Sequence, residues 1–202
     1  MAAAQLARRQ ASEWARTMLD EDFVILDTET TGLWPEDEIV EIAVIDRAGA
    51  VLLNQRIHPQ DPARLLKRDA KSGICAADIH GIMPNMLEDQ PRFPEVYERL
   101  RSFISLKPLV IYNANYDMKM LSQDCARHGL AMPLVSPVCA MKQFAAWRGI
   151  PGKYPGEYRW AKLEEAVILL GVESDSFGED VHSALGDCQR TLAVLTGMAQ
   201  KG

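Results

Sequence analysis

Five side chains in three short segments have types and spacings suited to metal-assisted hydrolysis. They are Asp27 and Glu29 in Phe23-Val-Ile-Leu-Asp27-Thr-Glu29-Thr-Thr-Gly32, Asp117 in Tyr112-Asn-Ala-Asn-Tyr-Asp117, and His182 with Asp187 in His182-Ser-Ala-Leu-Gly-Asp187. Phe23–Asp27 is a short apolar, β-branched run closed by polar and glycine residues, so it predicts a buried strand. Side chains alternate along a strand, which puts Asp27 and Glu29 on one face near its carboxyl end. That is where open α/β sheets place ligands. Carboxylates crowded in a partly buried site repel, and their pKa values rise unless cations neutralise them. Hard divalent cations with oxygen ligands are the natural remedy. Two such ions about 4 Å apart can activate a water and stabilise the departing oxygen of a phosphodiester.

Each residue also has a plainer reading. An aspartate at a strand end usually serves a turn or cap, and Asp117 can cap the helix that follows it. Asp187 can be a solvated helix residue, and a single histidine is more often structural than a base. The plain readings must all hold together, and jointly they explain the set poorly. His182 is the candidate general base, because an imidazole with a pKa near about 6.5 accepts a proton from water at neutral pH. Ser183 already supplies the cap of the next helix, leaving His182 free of that duty.

The elements around these residues are readable from pattern. Residues 3–19 predict an amphipathic helix, and Glu38–Asp46 and Val51–Ile57 predict strands joined at Arg47-Ala-Gly49. Helices are expected near Ile74–His80, Phe93–Ile104, Asp117–His128, Met141–Ala146, Trp160–Leu170 and Ser183–Met198. Further strands are expected at Leu109–Tyr112 and Val135–Cys139. Glu41, inside the second strand, could face the site, but a structural role is favoured. The loop Asp175-Ser-Phe-Gly-Glu-Asp180 leads into His182, with Gly178 lending it mobility. The order predicts an α/β fold, a mixed sheet flanked by helices in a single domain. Residues 1–20 form a helical extension and residues 21–202 the catalytic domain.

Composition agrees with one compact domain: 202 residues, 48% hydrophobic and 25% charged, can fill a sizeable core. Cys75, Cys125, Cys139 and Cys188 are widely spaced with no Cys-x-x-Cys pair, which argues against zinc and disulfides. No stretch has the length of a membrane span, and no apolar signal core follows Arg8 and Arg9. The expected location is cytoplasmic.

The three segments, in this order, resemble the DnaQ-like 3′–5′ exonucleases, the superfamily named DEDD after its four metal-binding carboxylates. The His-x-Ala-x-x-Asp segment resembles the histidine subclass. The resemblance spans about Phe23 to Thr196. It implies a ribonuclease H-like fold, with Asp27, Glu29, Asp117 and Asp187 as ligands of two divalent ions, Mg²⁺ or Mn²⁺. It implies release of nucleoside 5′-monophosphates from single-stranded 3′ ends, DNA favoured over RNA. An exoribonuclease of the same superfamily and an inactive nucleic-acid-binding module are the alternatives, and the intact carboxylate set argues against the second. Ile79-His80-Gly81-Ile82 resembles a family segment near the scissile nucleotide, so His80, with Thr30 and Thr31, is a candidate substrate contact. Many relatives carry an acid five places before that histidine; here the position is Cys75. Trp34, Phe93 and Tyr116 are candidates for base stacking or core packing. The segment Tyr154–Ala166 resembles one in bacterial and phage exonucleases. Proofreading subunits usually continue into a partner-binding tail; with Gly202 soon after the last helix, no polymerase attachment is expected.

The net charge of −6 is unusual for a nucleic-acid enzyme, since phosphate neutralisation supplies most non-specific affinity. The cations are grouped, however: Arg64, Lys67, Arg68 and Lys71 in one stretch, and Lys142, Arg148, Lys153, Arg159 and Lys162 in another. The second group lies near Tyr154, Tyr158 and Trp160, a mixture able to combine charge with stacking. Modest affinity for a short single-stranded end is expected.

Overall fold

A computed structural model describes residues 2–172 and 182–201. Five strands form one mixed sheet in the order β3-β2-β1-β4-β5. They are β1 Val24–Thr30, β2 Ile39–Asp46, β3 Val51–Arg56, β4 Pro108–Ile111 and β5 Ser136–Cys139. β2 runs antiparallel to β1 and β3, whereas β4 is parallel to both β1 and β5. The helices are α1 Ala2–Asp20, α2 Ala76–His80, α3 Phe93–Ile104, α4 Ala114–Arg127, α5 Ala140–Arg148, α6 Leu163–Leu170 and α7 Ala184–Gln200. The expected mixed sheet flanked by helices, in a single domain, is what the chain forms.

Two apolar layers cover the sheet, and strand alternation decides which residue enters which. Phe23 and Ile25 of the first strand region face Ala15, Phe144, Val194 and Leu195 on the side of α1, α5, α6 and α7. Val24 and Leu26 face Phe93, Leu100 and Leu121 on the side of α3 and α4. β2 is buried from Ile39 through Ile45 on both faces because both layers reach it, which replaces the looser alternation expected there. β3 lies at the edge and keeps its outer side chains wet. α1 buries Ala11, Ala15 and Met18 in the same core as α7, so this segment packs as part of the domain.

Several boundaries differ from the pattern reading. α4 begins at Ala114 rather than at Asp117, which therefore lies in its first turn. α6 begins at Leu163, not Trp160: Lys162 is its extended N-cap, whose carbonyl accepts from Ala166 N at 3.0 Å, and the chain just before it is paired back on itself by Arg159 N donating to Ile150 O at 2.8 Å. The expectations for Asp175–Asp180, including Gly178, lie outside the described residues. Among the described residues no helix is long and apolar enough to cross a membrane. All four cysteines are free.

Candidate active site

β1 is the middle strand of the sheet, and its carboxyl end runs beyond its partner β4, whose register with it covers Val24 and Ile25. Asp27 and Glu29 leave that end on the α7 face. Asp187 lies in the first turn of α7, where Ser183 Oγ caps the helix by accepting from Gly186 N at 3.1 Å. Carboxylate oxygens of Asp27, Glu29 and Asp187 all lie within 4.8 Å of one another.

Asp117 approaches from the opposite layer and is set differently. Its Oδ1 accepts from Thr28 N (3.1 Å) and Thr28 Oγ1 (2.8 Å), so Thr28, pointing away from Asp27, ties α4 to the strand. Asp117 is 3% exposed, too buried to be a solvated cap.

The electrostatics show what this crowding costs. Burial, and then the charges of Asp117, Asp187, Glu29 and Glu41, push Asp27 well above the usual carboxylate range. Burial and the neighbours Asp187, Glu41 and Asp117 raise Glu29 to about 9. Burial raises Asp117 to about 7 against the opposing hydrogen bonds from Thr28. Burial also raises Asp187, opposed by Arg190, whose Nη1 donates to its Oδ1 at 2.6 Å. A cluster of acids that cannot all ionise unaided, with oxygens close enough to share ligands, fits hard divalent cations. Asp27, Glu29 and Asp187 would hold them, with Asp117 completing the set.

This imbalance has a measurable consequence. Between the ordinary value of 4.5 and the folded value of about 9, the folded protein holds a proton on Glu29 that the unfolded chain has released. Stability of the metal-free protein therefore falls as pH rises through that window. Calorimetry in EDTA should give a higher Tm near pH 5.5 than near pH 8.5, and Mg²⁺ should narrow the gap. An unchanged gap with saturating Mg²⁺ would show that the ions do not bind these acids.

His182 lies outside regular structure with φ +77°, a conformation that costs a non-glycine residue about 1–3 kcal/mol. Its Nδ1 is 3.7 Å from Glu164 Oε1 on α6. The ring also borders a polar cavity of about 280 Å³ shared with Glu41, Arg56 and His80. Glu41 Oε2 accepts from Ala184 N at 2.9 Å, and its Oε1 meets Arg56 Nε at 3.3 Å, so it anchors the start of α7 to the sheet.

Beside Glu29 opens a cavity of about 520 Å³, lined by Leu33, Trp34, Ile74, Ile79, His80 and Tyr116 among others. Thr30 and Thr31 line it too, but their hydroxyls are spent on the loop itself. Thr30 Oγ1 donates to Gly32 O at 2.8 Å, and Thr31 Oγ1 donates to Asp37 Oδ1 at 2.9 Å. His80 Nε2 donates to Thr30 O (3.1 Å), while its Nδ1 accepts from Ile82 N (3.1 Å), which assigns the tautomer. Burial lowers its pKa, consistent with a neutral ring. Trp34 is 60% exposed on the cavity rim, and Phe93 is core.

Pattern reading missed two residues. Arg190 is 8% exposed and neutralises Asp187; the i,i+3 spacing on one helix was the available signal. Asp37 anchors the Thr30–Trp34 loop. Burial pushes its pKa up, but Arg64, Trp34 N and Thr31 outweigh that and hold it below the ordinary value. At Gly32, φ is +157° and an added Cβ would lie 2.5 Å from Asp37 Oδ2. Gly32→Ala should therefore lower Tm and weaken substrate binding together, a pairing that parallel melting and kinetic assays would check.

The comparison with known proteins agrees with this geometry. The family model RNase_T, described as Exonuclease, matches residues 24–195. The chain belongs to this exonuclease family. It is similar to "Uncharacterized exonuclease CP81" of Escherichia phage 186, 34% identical over 95% of each chain. It is also 38% identical to the DNA polymerase III subunit epsilon of Rickettsia felis, over 88% of this chain and 75% of that one. In structure it resembles the nuclease domain of 3'hExo, a DEDDh family member solved with rAMP. That match has a TM-score of 0.66 at 19% identity and covers 90% of this chain and 94% of the other. With these relatives, the protein is a DnaQ-like 3′–5′ exonuclease with the ribonuclease H-like fold. The carboxylate cluster of this exonuclease is the part of the molecule where divalent ions fit.

Proposed function

We propose that this exonuclease removes nucleoside 5′-monophosphates one at a time from the 3′ end of single-stranded DNA. The observation that carries the proposal is the convergence of Asp27, Glu29 and Asp187 beside an apolar cavity large enough for a terminal nucleotide. Two divalent ions, Mg²⁺ or Mn²⁺, would be held by Asp27, Glu29, Asp117 and Asp187, and when bound they supply charge neutralisation and Lewis acidity. The terminal base rests against Trp34, Ile79 and Leu33, with Thr30, Thr31 and His80 lining the same cavity around the sugar. His182 takes the proton of the attacking water from its loop at the start of α7. Arg190 keeps Asp187 oriented through the turnover.

The similarity to DNA polymerase III epsilon subunits supports DNA over RNA. End-labelled DNA and RNA oligomers, each incubated with Mg²⁺, Mn²⁺ or EDTA, test the proposal. Single-stranded DNA should shorten fastest, and EDTA should stop it. Preferential loss of RNA would assign the protein to RNA trimming, and digestion undiminished in EDTA would remove the ions from the mechanism.

A further inference from the structure

The segment from Ile150 to Trp160 has no part in the site just described, yet it is a built structure. Pro151 and Tyr158 pair as an antiparallel bridge. Gly152 N donates to Glu157 O at 2.8 Å, and Arg159 N donates to Ile150 O at 2.8 Å, closing a small hairpin. A Cβ on Gly152 would lie 3.0 Å from Glu157 Cβ, so the two arms approach closely. The hairpin and α5 enclose an open cavity of about 630 Å³ lined by Lys142, Lys153, Tyr158, Arg159 and Trp160, with Glu157 as its acid.

Its chemistry is one-sided in a protein of net charge −6. Lys142, Lys153 and Arg159 are exposed and form no salt bridge among the described residues. Arg148, by contrast, is paired with Glu165 at 2.8 Å. Trp160 is 60% exposed and Tyr154 58%; Lys153 Nζ lies 5.3 Å from the centre of the Tyr154 ring, so Trp160 is the aromatic face left open beside those cations.

The surface is also continuous with the active site. Lys142 borders a second groove, lined by Ala114, Asn115, Met118 and Lys119 from the start of α4, the helix that carries Asp117. Lys119 Nζ in turn donates to Leu33 O at 3.1 Å, on the rim of the nucleotide cavity. Cations thus mark a path from that cavity, past Asp117, to the hairpin.

We infer that the Ile150–Trp160 hairpin with Lys142 is a platform for the upstream part of a single-stranded DNA chain whose 3′ end lies at the carboxylates. Aromatic faces accept bases of any sequence, and the cations follow the phosphates. The inference rests on the exonuclease reading for the position of the 3′ end. The platform supplies the affinity that an acidic protein otherwise lacks, and it acts only on strands long enough to reach it.

The test is equilibrium binding of labelled oligothymidylates of increasing length, from the dimer upward, to full-length protein. An Asp27→Ala background keeps the strands whole. In that background affinity should rise with length, and Trp160→Ala should weaken long strands by about 5- to 100-fold. The deficit should shrink toward zero for the shortest strands. Lys153→Ala with Arg159→Ala should lower the salt slope by about 1.4, from about 0.7 per cation on a single strand. Trp160→Phe retains a stacking face and should recover most of the binding, which separates stacking from misfolding. An unaltered length dependence and salt slope in the variants would overturn the inference, as would Trp160→Phe binding as weakly as Trp160→Ala. Binding is read without hydrolysis, so failure of the exonuclease reading would appear separately, as wild-type protein that leaves strands intact.

Discussion

Asp27→Ala should abolish hydrolysis at saturating Mg²⁺ while the protein folds as well as before or better. Asp27 is buried, and the neighbouring Asp117, Asp187, Glu29 and Glu41 all oppose its ionisation. Removing it relieves repulsion, so Tm in EDTA should not fall. What is lost is an oxygen ligand at the centre of the cluster. Lewis-acid stabilisation is worth several kcal/mol, so the rate should drop by on the order of 10³-fold or more. Asp187→Asn should behave similarly, because the amide keeps the shape but loses the charge that Arg190 and the ions share. Near-native turnover in either variant would sink the assignment of the carboxylates to metal.

His182→Ala should slow hydrolysis by roughly 10²–10⁴-fold, the range for a positioned general base. His182 is held in a left-handed conformation just before α7, five residues from Asp187. Its Nδ1 faces Glu164, on another helix, at 3.7 Å. Metal affinity should be nearly untouched, since carboxylates provide the donors. Full activity in the variant, or a loss traced entirely to weaker metal binding, would take the base role away from His182.

The sheet and the carboxylates were legible because both depend on short-range patterns. Period-2 alternation put Asp27 and Glu29 on one face, and the apolar periodicity of Phe93–Ile104 marked α3 at its actual bounds. Details set by distant partners were not legible. Trp160–Lys162 follow a helical pattern, but the preceding residue Arg159 pairs back to Ile150 and Lys162 becomes the extended N-cap of α6. Thr30, Thr31 and His80 are types that contact substrates, yet the two threonine hydroxyls bond within their own loop and His80 Nε2 donates to Thr30 O, about 50 residues earlier. Arg190 is different: its partner Asp187 is only three residues away on α7, so that pairing was available in the local spacing. The N-terminal helix was expected as a helical extension, and its packing in one core with α7 depends on a partner that its own pattern does not name.

The central claim is stepwise, metal-dependent removal of nucleotides from a 3′ end by the carboxylate cluster. Its most direct test is single-stranded DNA labelled in the 3′-terminal nucleotide, incubated with wild type or Asp27→Ala in Mg²⁺, beside circular single-stranded DNA. Wild type should release the label first, as a 5′-mononucleotide, Asp27→Ala should release none, and the circle should stay intact. Label appearing in longer fragments, or a cut circle, would contradict it.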